Sequence, residues 1–121
     1  MSAESDFRTL LVGFAGLISL VAQRVSENAV PQGTSLPYVA FTSRHELTHN
    51  LLGEVMADQA VFTVQCWGRN AAEAAAVAAQ VALAVQGADP ARGAVVLSTD
   101  GAYDPPADAD AAILTVEWWA L

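Results

Sequence analysis

Apolar residues at Phe7, Leu10, Leu11, Phe14, Leu17, Ile18 and Val21 recur with the i, i+3, i+4, i+7 spacing that gathers one face of a helix. Ser5 stands where an N-cap belongs, Asp6 suits the positive end of the helix dipole, and the helix is expected to end near Arg24. Gly13 and Gly16 each cost about 1 kcal/mol relative to alanine inside a helix, which is tolerable where the helix packs closely against another element. Pro31, Gly33 and Pro37 then break any period, so 26–37 reads as a loop. Residues 38–43 alternate and predict a strand entered directly after Pro37, whereas 44–59 fits neither helix nor strand cleanly.

Residues 60–67 form the clearest strand, with Phe62, Val64 and Cys66 on one face and Val61, Thr63, Gln65 and Trp67 on the other. Gly68 ends it. Asn70 followed by Glu73 makes a capping-box signature for an alanine-rich helix running to about Gln86, where Gly87 supplies a stop. Val77, Val81 and Val85 mark the buried stripe of that helix, and Ala74 and Ala78 beside it permit close approach to a sheet. Two more strands follow at 94–99 and 113–121, separated by an acidic, Pro105-Pro106-containing stretch suited to an extended, mobile loop. The order α-β-β-α-β-β predicts one α/β (α+β) domain spanning 1–121, a small four-stranded, mainly antiparallel sheet with two helices packed on one face.

Composition narrows the function. The 121 residues hold 13 Asp and Glu against five basic residues, all arginine, for a formal net charge of −8. Gripping nucleic acid or anionic lipid draws on clustered Lys and Arg, so neither is expected of this surface. Cys66, the single cysteine, excludes an intrachain disulfide and reads as a buried, inert thiol. Glu4 and Asp6 near the start argue against a secretory signal, and the apolar stretch 10–21 is shorter than the roughly 20 residues a membrane span needs. A soluble protein of the cytoplasm is the resulting expectation.

His45-Glu46-Leu47-Thr48-His49 spells the H-E-x-x-H sequence of zinc peptidases. On a helix, His45 and His49 would face one zinc ion and Glu46 would activate its bound water. Ser43 and Glu46 form a possible capping box, and Gly53 a possible helix stop. A catalytic zinc needs a third protein ligand, however, and both histidines of the chain are already used. Glu54, Asp58 and Glu73 stand at no spacing that marks a zinc-peptidase class. The alternative is that 45–49 lies in a solvated hairpin loop or a short surface helix and binds no metal. Asp100, Asp104, Asp108 and Asp110 offer oxygen ligands without EF-hand spacing, so a solvated loop is the simpler reading.

Trp118 and Trp119 are adjacent, and adjacent strand residues point to opposite faces of a sheet. Leu114, Val116 and Trp118 therefore share one face, leaving Ile113, Thr115, Glu117 and Trp119 on the other. That second face, with Trp67 and Val61, is a candidate interface with a second subunit or a partner, because aromatic residues anchor such contacts.

The run Arg24-Val25, Ala29-Val30-Pro31-Gln32-Gly33-Thr34 and Leu36-Pro37-Tyr38-Val39 resembles the tail-completion, or tail-terminator, family of siphophages, prophages and gene transfer agents. The strand ending in Cys66-Trp67, the helix opening Asn70-Ala71-Ala72-Glu73-Ala74 and the amphipathic N-terminal helix follow in the same order, so the resemblance covers nearly the whole chain. It implies a small α/β domain of two helices against a sheet. It further implies a non-catalytic virion protein without cofactors, which assembles as a homo-hexameric ring on the last tail-tube ring, stops tube growth and presents a surface to the head-tail connector or stopper. Its expected location is the tail–head junction, after assembly in the host cytoplasm, with DNA passing through the lumen unheld. An acidic, lysine-free chain suits a lumen through which DNA slides. Asp104, Asp108 and Asp110 are candidates for its lining. Two other functions stay open at this point, a minimal zinc metallopeptidase using His45, Glu46 and His49, and another neck protein such as a head-closure subunit.

Overall fold

The computed structural model describes residues 3–22, 24–27, 35–49, 51–53, 55–88, 95–104 and 109–119, with Ala3, 46–49, 55–58, Asp104 and Trp119 described as backbone only. Helices α1 (Ala3–Val12) and α2 (Ala15–Val21) are followed by strands β1 (Val25–Glu27), β2 (Tyr38–His49) and β3 (Val55–Gly68), helix α3 (Ala71–Gln86), and strands β4 (Val95–Asp104) and β5 (Ala109–Trp119). The sheet has five strands in the order β1-β2-β3-β5-β4. Only the β1–β2 pair is parallel; the other three pairings are antiparallel.

The expected α+β architecture with helices on one face is present, with one strand more than the four expected. Three residues at 25–27, the last two of them read from sequence as the start of a loop, pair with 39–41 of β2. So short a segment carries no period of its own, and pairing to an existing edge decides its conformation. Most of the remaining 26–37 loop, including the Pro31-Gln32-Gly33-Thr34 run, lies outside the described residues.

The N-terminal amphipathic segment is two helices rather than one. Gly13 donates its N–H to the Thr9 carbonyl, and Phe14 is extended at φ −92°, ψ 108°, so the chain bends there before α2 begins. The bend lets Leu17 and Val21 reach the same core as Phe7 and Leu11. At Gly16 a Cβ would overlap the Gln80 side-chain oxygen, so α2 does pass close to α3. Helix α3 starts as expected: Asn70 Oδ1 accepts from the Glu73 N–H at 2.8 Å. Glu73 Oε1 in turn accepts from the N–H of Arg69, one residue earlier than the standard capping box.

Alternation along the strands divides the sheet cleanly. Val39 and Phe41 on β2, Ala60, Phe62, Val64 and Cys66 on β3, and Leu114, Val116 and Trp118 on β5 are all buried beneath the helices. Phe7 of α1 is the pin of this core. Its ring stacks on Phe62 at 4.2 Å between centroids and meets Phe41 and Trp118 edge-on at 5.2 and 5.6 Å. Burial pushes the Cys66 thiol up to about 12, which keeps it neutral and unreactive at ordinary pH.

The helix layer does not reach across the whole sheet. Two helix diameters of about 10 Å cover about four strands spaced about 4.8 Å apart. Strand β4 is fifth in line and projects beyond α3, with Val95, Leu97 and Tyr103 exposed.

Candidate assembly surfaces

The H-E-x-x-H residues lie on strand β2, neither on a helix nor in a loop. The register runs unbroken from Arg44↔Val61 to Thr48↔Ala57, so 44–49 and 55–59 belong to the far half of a long β2–β3 pair. At about 3.3 Å per residue the Cα atoms of His45 and His49 stand about 13 Å apart, against about 6 Å on a helix. The helical spacing that the zinc motif requires is not formed. Main-chain pairing with β3 outweighs the weak local capping signals at Ser43 and Gly53. Among the described residues no group of three metal-binding side chains comes together.

His45 has a different task. Its Nε2 lies 2.6 Å from Glu4 Oε1, and the Ser43 hydroxyl donates to the same oxygen at 2.7 Å. These bonds, the histidine's foremost, hold the Glu4 carboxyl down at about 2 against the opposing effect of burial. The cluster ties the start of α1 to the middle of β2, and its residues are 39 and 41 apart in sequence.

The sheet face away from the helices carries four cross-strand rows. Tyr38, Trp67, Ala111 and Ala102 form the first, and Ala40, Gln65, Ile113 and Asp100 the second. Thr42, Thr63, Thr115 and Ser98 form the third, and Arg44, Val61, Glu117 and Val95 the fourth. Of the sequence-derived interface residues, Trp67, Ile113 and Glu117 therefore share this open face, each half-buried. The Trp67 indole donates to Gln65 Oε1 at 3.2 Å. Trp119 pairs by register with Gln59 at the end of β5. A shallow depression of about 330 Å³ lies near the middle of this face, bounded by Thr42, Arg44, Val61, Thr63 and Thr115.

Asp100, Asp104 and Asp110 are on paired strands rather than in a long acidic loop. Asp100 is opposite Ile113, Asp104 opposite Ala109 and Asp110 opposite Tyr103, so cross-strand pairing extends β4 and β5 through sequence whose composition suggested a loop. Asp108 lies outside the described residues.

A surface invisible in the sequence runs along the other side. Between α3 and β4 lies a groove of about 620 Å³ walled by Ala71, Ala74 and Ala75 of α3, by Thr99, Asp100, Ala102 and Tyr103 of β4, and by Asp110 and Ala112 of β5. It continues past Ala78, Ala79 and Ala82 into a further space of about 220 Å³ floored by Leu114. Alanines on three sides make it wide and apolar. The signal for it in the sequence was the alanine helix itself, which read only as a means of close packing.

Among the described residues no polar or charged side chain is buried. Nor is any helix of these residues long and apolar enough to cross a membrane. The arrangement offers broad faces, an exposed sheet edge and a groove.

Comparison with known proteins agrees with that architecture. The solved virion of a native gene transfer agent particle contains a chain of the same fold, at a TM-score of 0.75 and 23% sequence identity, covering 98% of this chain and 93% of that one. No curated protein matches the sequence. The family described as Tail completion protein gp17 matches residues 6–121. The chain belongs to that tail-completion family and is a structural, non-enzymatic protein of a phage-type tail.

Proposed function

We propose that this protein is a tail terminator: six copies form a ring on the last ring of the tail tube, stop its elongation and present a joining surface to the head connector or stopper. The observation that carries this reading is the match of the tail-completion family over residues 6–121, nearly the whole domain. The geometry supports it. The domain offers an uncovered sheet face bearing Trp67, Ile113 and Glu117, and a fifth strand that its own helices cover only in part. Surfaces of this kind are buried by assembly.

Trp119, at the end of β5, belongs to the same assembly contact in this reading. Asp104, the last residue of β4, and Asp108, which follows it in sequence, are the residues proposed to face the lumen, where negative charge lets DNA slide without being held. Asp110, the third acidic candidate, lines the α3–β4 groove instead.

Native mass spectrometry of the untagged protein, alone and with purified tail tubes, tests the proposal. Six copies of the 12.6 kDa chain are expected, in solution or at the end of each tube. A chain that stays monomeric in both settings, or tubes that elongate unchanged in its presence, would overturn it.

A further inference from the structure

The charges of this molecule are distributed unevenly along its sheet. Helix α3 and strands β4 and β5 contain no basic residue, while Asp100, Asp104, Asp110 and Glu117 all fall on the two strands. All five arginines fall outside these elements; Arg92 lies outside the described residues, and three of the other four reach towards the β1–β2 side of the sheet. Arg8 Nε donates to the Val25 carbonyl at 3.2 Å, Arg24 Nε to Pro37 at 2.9 Å, and Arg69 Nη2 to Leu36 at 2.8 Å. A guanidinium has five N–H donors, so a group anchored by one of them can still hold a carboxylate. The acids near that edge offset rather than reverse it: Glu73 pairs with Arg69 at 3.8 Å, and Glu27 is exposed on β1.

We infer that the α3–β4 groove of one copy receives the β1 edge of the next, with Arg8 and Arg69 of the incoming copy set against Asp100 and Asp110. This pairing rests on the ring reading and specifies which surfaces meet. Two alternatives lose on charge. Joining β4 to β4 about a two-fold axis sets Asp100 and Asp110 against their own copies, and like charges across an interface are costly. The exposed tip of the β2–β3 hairpin, Leu51 and Leu52, is apolar enough to enter the groove. Yet Leu51 and Leu52 bring no positive charge to the groove's aspartates. Of these three candidate occupants, the β1 edge is the one beside which described arginines stand, Arg8, Arg24 and Arg69. A contact between two different edges is heterologous, and a repeated heterologous contact closes into a ring when its rotation allows.

The test is a charge swap read by native mass spectrometry and sedimentation, with tail tubes added where the wild-type chain needs them to assemble. One variant carries Asp100→Arg and Asp110→Arg, the other Arg8→Asp and Arg69→Asp. Each alone should keep the wild-type circular dichroism spectrum and need at least about tenfold more protein to assemble. Mixed in equal amounts, they should regain the wild-type oligomer with alternating composition, because each reversed edge then meets its reversed partner. Recovery on mixing also shows that neither variant had simply failed to fold. If a variant alone assembles like wild type, or the mixture stays apart, the edge pairing falls while a wild-type ring would leave the terminator reading standing. If the wild-type chain forms no ring even on tubes, both fall.

Discussion

Glu4 shows how a single side chain can hold two elements together. It is near the start of α1, and its carboxylate accepts from Ser43 and binds His45, both on β2. Its carboxyl stays ionised down to about 2, below its ordinary value of 4.5. A depressed carboxylate pKa contributes stability that is complete above the unfolded value and lost as pH falls through the folded one. The loss therefore falls between about pH 4.5 and pH 2. Glu4→Gln should remove about 1–2 kcal/mol at pH 7, discounting for the part of the group that water screens, and should flatten the urea midpoint across that acid window. An unchanged acid profile would show that the cluster does not stabilise the fold. None of this was legible in the sequence, where Glu4 read as an N-terminal charge and His45 as half of a zinc motif. The link spans 41 residues, and local pattern carries no information about such a pairing. The face assignments of Phe62, Val64, Cys66, Leu114, Val116 and Trp118 were legible, because alternation on a strand is local and strict.

Elements differ in the same way. Helix α3 was readable at both ends: Asn70 caps it, the valine stripe fixes its buried side, and it stops at Gly87. The bend between α1 and α2 was not, since Phe14 continues the apolar period straight through it. The far half of β2 was unreadable because polar residues there imitate a capped helix, and only pairing with β3 resolves them. Strand β4 was shortened in the reading because its aspartates look like loop. Gly68 was read as the end of a strand, but the structure gives it a more demanding part. A Cβ there would stand 2.6 Å from the backbone nitrogen of Ala74 and 3.0 Å from Glu73 Cβ, so β3 passes directly against the first turn of α3. Backbone cannot swing aside as a long side chain can. Gly68→Ala should therefore cost about 1–3 kcal/mol through forced separation of helix and strand. Urea denaturation measures it, and a midpoint equal to wild type would mean that the first turn of α3 yields freely.

At the scale of the whole molecule, the lateral edges and the open face of the sheet are different surfaces and invite different partners. If neighbouring copies join through the β1 edge and the α3–β4 groove, the ring uses the open face only at Asp100 on its β4 margin, and the rest of that face is left for the tail tube or the connector. Its middle row, Thr42, Thr63, Thr115 and Ser98, carries short side chains that let another surface approach closely. Thr63→Arg places a long cation there without touching the core, because Phe62 and Val64 on either side point to the helices and remain buried. Such a substitution outside the core should change stability by less than about 1 kcal/mol. It should leave ring stoichiometry intact while weakening attachment to purified tail tubes at least about tenfold, the equivalent of one obstructed contact worth about 1.4 kcal/mol. Co-sedimentation with tubes, alongside native mass spectrometry of the free protein, separates the two effects. If Thr63→Arg instead dissolves the ring, the open face is the subunit contact that Trp119 suggested from sequence. If it alters neither ring nor attachment, the open face faces solvent, and the tube meets the ring through another surface.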